Sequence, residues 1–386
     1  SVRDPGGKNK WEETDMNRLL TGLALTGLTI APAAADNYIA TNWLTPVHIL
    51  NEQPYQRFAA DIDKATDGKM TFEVYSSGSL VPAKSTMQGI RDNVAQLGVV
   101  YPGYSPSELP VNNVLNDLVF TSDDALAAAL AYTEVGISNE AVQGEWNANG
   151  GIFVGGYSTP VYNFVCMQPI RVPGDAKGKK IRTAGGAQTA WVESLGGVPV
   201  SVPIGDVYSG LSRGSLDCTM SDPTNLDKGN KFWEVAKSVT TLPMGVVMGA
   251  TYVMNPSFWQ GLDQDQRKVL LDAMALGVAR TQVTYAADVE AALEGSRERG
   301  LEIIEPSAEL SEALEAFQAN FVEELPQKSV DNRGIDNPSS VIDAFLAAQK
   351  AWKEKLATID RTDPEAVAAL IRSDIYGKLD LSSFGN

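Results

Sequence analysis

From Gln260 to Glu305 the chain carries no proline, and that run limits its architecture more than any composition figure does. Asp263 is placed to cap a helix, and Val269, Leu270, Ala273, Met274, Leu276 and Val278 recur every three or four residues behind it. With Gly277 and Gly295 tolerated, the helix runs on to about Arg299. A rod of that length exceeds what one small domain needs, so it is expected to lie along two.

The rest of the chain alternates strand and helix. Asn37–Thr41 reads as a strand, Glu52–Ala65 as a helix with Phe58, Ile62 and Ala65 on one face, and Met70–Tyr75 as an alternating strand after the Thr66-Asp67-Gly68-Lys69 stop. Lys84–Asp92 looks helical, and the apolar run Ala95–Tyr101 suits a strand covered on both faces. A second block begins near Gly151, with strands at Ile152–Tyr157, Asn163–Met167, Lys180–Thr183, Gly197–Val202, Leu216–Met220 and Val246–Met254. Helices are expected at Gln188–Leu195 and Asp206–Ser212. After a strand at Leu301–Ile304, three C-terminal helices follow at Ser311–Glu324, Ser340–Leu356 and Asp363–Arg372. This order implies α/β layers.

The N-terminal region has the three parts of a secretory signal peptide: the basic start Met16-Asn17-Arg18, the apolar run Leu19–Ala31, and the small residues Ala33-Ala34-Ala35 before Asp36. Cleavage is expected near Ala35, with residues 1–15 set aside as upstream of the start. The apolar run falls short of the roughly 20 residues that span a bilayer. No later segment is long and apolar enough to do so.

Lys and Arg number 31 against 48 Asp and Glu, a formal net charge of -17. Such a field argues against binding nucleic acid. An anion would have to be held at a local cationic spot. Arg182 is the candidate, because it closes Gly178-Lys179-Lys180-Ile181-Arg182 and precedes the small-residue turn Thr183-Ala184-Gly185-Gly186-Ala187. A guanidinium at a strand's carboxyl end, facing a helix start, offers two parallel donors and unpaired backbone N–H groups to a carboxylate. The competing reading is a surface arginine at a strand end. Asn42-Trp43 and Tyr101-Pro102-Gly103-Tyr104 also follow strands, so Asn42, Trp43, Tyr101 and Tyr104 are candidates to line the same crevice, although each aromatic also reads as core filler.

His48 is the only histidine. It leaves no His-rich zinc site, and a Ser-His-Asp triad only through itself. Gly210-Leu211-Ser212-Arg213-Gly214 matches GxSxG only at the end of an expected helix, not at a strand-to-helix elbow, and GxxxxGK[ST] and GxGxxG patterns are absent. Asp123-Asp124 and Glu323-Glu324 read as helix-start charges or solvated faces more readily than as a glycosidase pair. Cys166 and Cys218 are either one disulfide or two buried thiols, and there is no CxxC. No cofactor or metal is implied, and an enzyme is the minority reading.

In combination these segments resemble the periplasmic substrate-binding proteins of tripartite ATP-independent periplasmic (TRAP) transporters, the DctP-like family. Pro173-Gly174-Asp175-Ala176-Lys177 through Arg182 is similar to that family's "P.DLKGKKIR". Leu195–Val200, Asp206–Leu211 and Gly214–Asp217 resemble "LGA.PV", "EVY.AL" and "G.VDG", and Met254–Trp259 opens the long helix as in the family. Phe58-Ala59 through Lys69, with Ser79-Leu80, looks like its first helix and following strand.

The resemblance implies a type II periplasmic-binding fold of two α/β lobes with a cleft, hinge strands and a long helix spanning both. Residues 36–160 with 245–285 are expected to form one lobe, and 161–244 with 286–386 the other. It implies a monomer in the periplasm that captures a small organic acid and delivers it to a TRAP permease. Arg182 falls on the family's carboxylate-binding arginine, and Ser221 and Asp222 on its polar ligand contact.

The chain departs from the family at Cys218–Pro223, one residue longer than Gly-Gln-Glu-Asn-Pro. It also lacks a second arginine, showing Tyr162-Asn163-Phe164-Val165-Cys166 where some members carry one. Asp222 either points into the cleft, repelling a second carboxylate and favouring a hydroxyl or ammonium, or caps the next turn through Asn225. Two other roles for the scaffold stay open: presenting ligand to a sensor kinase, and secreted catalysis with His48 in the cleft beside a nucleophile.

Overall fold

A computed structural model of the chain describes residues 36–385. The expected signal segment 16–35 and the residues before it lie outside the described residues. Among the described residues there are eleven strands: β1 Asp36–Thr41, β2 Met70–Tyr75, β3 Leu97–Val100, β4 Ile152–Ser158, β5 Asn163–Cys166, β6 Lys180–Thr183, β7 Val198–Ser201, β8 Cys218–Ser221, β9 Ser238–Thr240, β10 Met248–Met254 and β11 Glu302–Ile304. They form two sheets, ordered β2-β1-β3-β10-β4 and β11-β9-β5-β8-β6-β7.

Both sheets are mixed. In the first, β1 pairs parallel with β2 and β3, while β10 is antiparallel to both β3 and β4. In the second, β5 runs antiparallel to β8 and β9 while β6 is parallel to β7 and β8. All residues of β3, β4 and β10 are buried, as sheets covered by helices on both faces require.

The chain passes between the sheets three times. After β4 it crosses through Thr159–Tyr162 and after β9 it returns through Thr241–Val247. These two crossovers pair with each other: Thr159 N donates to Val247 O at 2.9 Å, Tyr162 N to Gly245 O at 2.8 Å and Met244 N to Tyr162 O at 3.0 Å. The third passage is the long helix, Gln264–Glu298, which follows the first sheet's β10 and precedes the second sheet's β11. Asp263 and Gln266 close a reciprocal capping box at its start, satisfying N–H groups that the first turn leaves without helical partners. Leu270, Met274, Val278 and Tyr285 are buried along it.

Two expectations about the C-terminal third need correction. The helix expected at Ser311–Glu324 runs over Ala308–Arg333, straight through Pro326. Proline removes one backbone donor, but Leu314, Phe321, Leu325 and Ser329 bury a face on both sides of it and hold the helix together. The grouping of 286–386 with the second sheet does not describe the contacts either. Trp352, on the helix Pro338–Leu356, donates from Nε1 to Glu134 of the helix Ala125–Ser138 at 2.7 Å. Tyr376 donates to the Val154 carbonyl of β4 at 2.8 Å, and Trp259 Nε1 to Phe384 O at 2.6 Å. The last helices therefore return to the first sheet, because an apolar helix stripe does not specify which of two cores receives it.

Cys166 and Cys218 face each other across the antiparallel β5–β8 pair and are bonded, S–S 2.08 Å. Among the described residues no helix is long and apolar enough to cross a membrane.

Candidate functional site

Arg182 is the third residue of β6, between β7 and β8, and is 1% exposed. Its Nε donates to Val202 O at 3.1 Å, Nη1 to Met220 O at 3.3 Å and Nη2 to the Tyr104 hydroxyl at 3.3 Å. These contacts, with a further one to the Tyr162 hydroxyl, orient the guanidinium. Among the described residues no Asp or Glu forms an ion pair with it. A buried charge without a counter-charge is costly, and this one is buried with its fork fixed in place.

Around it is a cavity of about 390 Å³, mouth included, between the two sheets. Trp43, Tyr101, Tyr104 and Asp222 line it. Asn42 and Ser221 do not. Asn42 is an internal bracket, its Nδ2 donating to Leu50 O at 3.0 Å and its Oδ1 accepting from Leu44 N at 2.9 Å. Ser221 turns its hydroxyl to the Asp222 carbonyl, 3.3 Å.

The helix Gly186–Ser194 also differs from expectation. Its first N–H groups do not serve the cavity, since Ala187 N donates to Asp117 Oδ1 at 2.8 Å and Ala184 N, just before it, to Gln188 Oε1 at 2.7 Å.

Three lining tyrosines escaped sequence analysis: Tyr157, Tyr162 and Tyr285. Tyr157 and Tyr162 flank the first crossover, which brings them to the cleft. Tyr285 continues the buried face of the long helix, so by period alone it reads as core. Edge-to-face contacts join Trp43 to Tyr104 (centroids 5.5 Å apart) and Tyr104 to Tyr101 (4.9 Å), so the near wall is a packed aromatic cluster. Gly103 permits this, since a Cβ there would overlap the Tyr101 ring and lie 2.6 Å from Ala184 O.

His48 is inside the cleft and 5% exposed. Its Nδ1 accepts from Leu50 N at 3.1 Å, which leaves the neutral ring's proton on Nε2, facing Asn225. Burial pushes its pKa down to about 4, against a smaller opposing effect of Asn225. Among the described residues no Ser, Thr, Cys or Lys side chain hydrogen-bonds to it.

Asp222 does both things considered for it. It lines the cavity, and it caps the turn Pro223–Leu226, accepting from Thr224 N at 3.0 Å and Asn225 Nδ2 at 2.7 Å. Burial raises its pKa to about 6, and those hydrogen bonds hold it from rising further.

Several contacts close the cleft. The Tyr101 hydroxyl donates to Ala184 O, the Tyr104 hydroxyl accepts from Ile204 N at 2.9 Å, and Thr45 Oγ1 donates to Gly229 O at 3.3 Å. A wider groove beside Pro160 and Val161 has both of its cations paired, Arg361 with Asp124 at 2.6 Å and Lys353 with Asp123 at 3.2 Å. It offers an anion no comparable charge. Among the described residues no group of three or more His, Cys, Asp or Glu could hold a metal.

Residues 41–328 match the family model described as bacterial extracellular solute-binding protein, family 7, DctP. A solute-binding protein of Albidiferax ferrireducens is 27% identical over 56% of this chain and 63% of its own length. The 2,3-diketo-L-gulonate-binding periplasmic protein YiaO of Escherichia coli is 24% identical over 73% of this chain and 86% of its own. Among solved structures, a TRAP solute-binding protein from Rhodoferax ferrireducens, in complex with copurified benzoate, superimposes with a TM-score of 0.73 at 17% identity. It covers 83% of this chain and 99% of its own. The likeness in fold therefore extends over both sheets.

Proposed function

We propose, from the fact that this chain belongs to the DctP family of bacterial extracellular solute-binding proteins, that it captures a small organic acid between two lobes and delivers it to a TRAP permease. The observation that carries this reading is Arg182, 1% exposed, oriented by two carbonyls and two phenols, and without a protein carboxylate. A ligand carboxylate supplies the missing charge at the guanidinium. Trp43, Tyr101 and Tyr104 wall its body, and Asp222 contributes the polar contact at the other end. Closing the lobes excludes water, which strengthens the ion pair and presents the permease with a shape distinct from the empty receptor.

The names of the relatives support an acidic ligand: one binds 2,3-diketo-L-gulonate, and one structure holds benzoate. We assign the exported form to begin after the signal segment 16–35 and to act in the periplasm as a monomer. The lobes are assigned by sheet, the crossovers Thr159–Tyr162 and Thr241–Val247 acting as hinge strands.

A thermal-shift screen of organic acids identifies a ligand, since one that binds only the folded state raises Tm. Titration of that acid into Arg182→Ala is then decisive. Affinity should fall by several kcal/mol, as truncating one side of a buried charge pair does, and Arg182→Lys should bind more weakly than wild type because it loses the fork. Equal affinity in wild type and Arg182→Ala removes the basis of the proposal.

A further inference from the structure

The charges lining the cavity number one of each sign. Arg182 is the cation, without a protein carboxylate; Asp222 is the anion, already accepting from Thr224 N, Thr224 Oγ1 and Asn225 Nδ2. No other Lys, Arg, Asp or Glu lines the cavity. His48, the only other group there that could turn cationic near neutral pH, has Nδ1 occupied as an acceptor from Leu50 N and is kept neutral by burial. The phenols are neutral as well, burial holding Tyr101, Tyr157 and Tyr285 well above their ordinary range.

A first carboxylate on a ligand therefore meets a counter-charge. A second one meets Asp222, itself 1% exposed and so poorly screened by water, among neutral rings. The largest neutral side chains of the lining are flat: Trp43 and five tyrosines share this one cavity with the aliphatic Leu44, Leu50, Ile204 and Val247. Among the described residues the Tyr157 and Tyr285 hydroxyls take part in no protein hydrogen bond, so two rings present both a face and a polar tip. Such walls fit a planar ring, which loses little conformational freedom on binding, better than a flexible aliphatic chain.

We infer that the ligand is an aromatic monocarboxylate, and that Asp222 is the specificity-determining residue that excludes a second carboxylate. This rests on the receptor reading above and narrows it.

The test is calorimetric titration of the purified full chain at pH 7.5 with matched probes. Benzoate is compared with cyclohexanecarboxylate, which has the same charge but a puckered ring. 3-Carbamoylbenzoate is compared with isophthalate, which has nearly the same shape and one more charge, and succinate serves as a compact aliphatic dianion. Benzoate should bind at least tenfold tighter than cyclohexanecarboxylate, and 3-carbamoylbenzoate at least a hundredfold tighter than isophthalate. Asp222→Asn, nearly isosteric, should shrink the second ratio at least tenfold.

The inference is overturned if isophthalate or succinate equals its monocarboxylate counterpart, if no aromatic acid binds, or if a folded Asp222→Asn leaves the ratio unchanged. Where that variant does not fold, the wild-type ratios decide alone. Arg182→Ala separates the two levels. A dicarboxylate whose binding is lost in Arg182→Ala overturns this inference and leaves the receptor reading standing, whereas an acid that binds Arg182→Ala as well as wild type removes both.

Discussion

Asp117, on the helix Pro110–Leu118, accepts the backbone N–H of Ala187 at 2.8 Å, so a carboxylate from the first sheet's side of the cleft caps a helix on the other. The same carboxylate pairs with Arg333. Asp117 is thus a latch between the two sides, and its effect should appear in ligand affinity more than in folding. Losing a cap costs about 1 kcal/mol, and the unpaired Arg333 adds to that. Asp117→Ala should weaken binding of the identified acid by roughly ten-fold, mainly through faster dissociation, with Asp117→Asn intermediate. Stopped-flow release and titration measure this; a variant that melts earlier but binds normally would show the contact to be merely structural.

Asp222 and His48 should oppose each other in the dependence of stability on pH. Asp222 has a pKa of about 6 when folded, above its ordinary 3.8. The folded state therefore holds that proton more tightly than the unfolded chain, and stability falls as pH rises from about 4 to 6. His48, lowered from 6.5 to about 4, has the opposite sign: the unfolded chain binds its proton more tightly, so stability rises with pH from about 4 to 6.5. Each shift amounts to about 3 kcal/mol, so the pair nearly cancels in wild type. Thermal melts between pH 4 and 7 should show stability rising more steeply with pH in Asp222→Asn than in wild type. The slope of His48→Gln should be displaced in the opposite direction.

Gly245 lies in the returning crossover at φ 68°, where its carbonyl accepts from Tyr162 N at 2.8 Å. A Cβ there would overlap the backbone of Phe120, which cannot swing aside as a side chain would. Gly245→Ala combines left-handed strain with that overlap, and should lower stability by about 2–4 kcal/mol. Urea denaturation would show a lower midpoint at unchanged slope.

The Cys166–Cys218 bond closes a sequence separation of 52 residues. Loop-closure entropy puts its contribution at about 4 kcal/mol, with measured disulfides often giving less. Cys166→Ser/Cys218→Ser should unfold at clearly lower denaturant than wild type, and dithiothreitol should reproduce the shift. Coincident curves for wild type and the double variant would show that β5–β8 pairing alone supplies the restraint.

Much of this architecture is legible in local pattern. The long helix begins at the Asp263 cap and ends at Glu298, one residue before the expected limit, because its signals are a cap, a period and the absence of proline. Arg182 and the aromatics Trp43, Tyr101 and Tyr104 were legible for a related reason: each lies in or just after a strand whose end is marked in the sequence. Asn42 and Ser221 occupy similar positions yet turn elsewhere. Neighbouring strand residues face opposite ways, so a register uncertain by one residue between Ser221 and Asp222 interchanges wall and interior.

The amino-acid sequence by itself determined most of the order of strands and helices, though not β9 or the helices Pro110–Leu118, Ala125–Ser138 and Glu140–Ala148, together with the rod joining two sheets and the acidic chain's need for a local cation, since these are matters of composition and short-range period. Only the tertiary structure decided what meets that cation. Tyr157 with Tyr162, Tyr285 and His48 come from three separate segments, Asp117 reaches a helix 70 residues away, and the last helices return to the first sheet. Such contacts depend on which buried surfaces pack together across the whole chain, and no local spacing of residues records that choice.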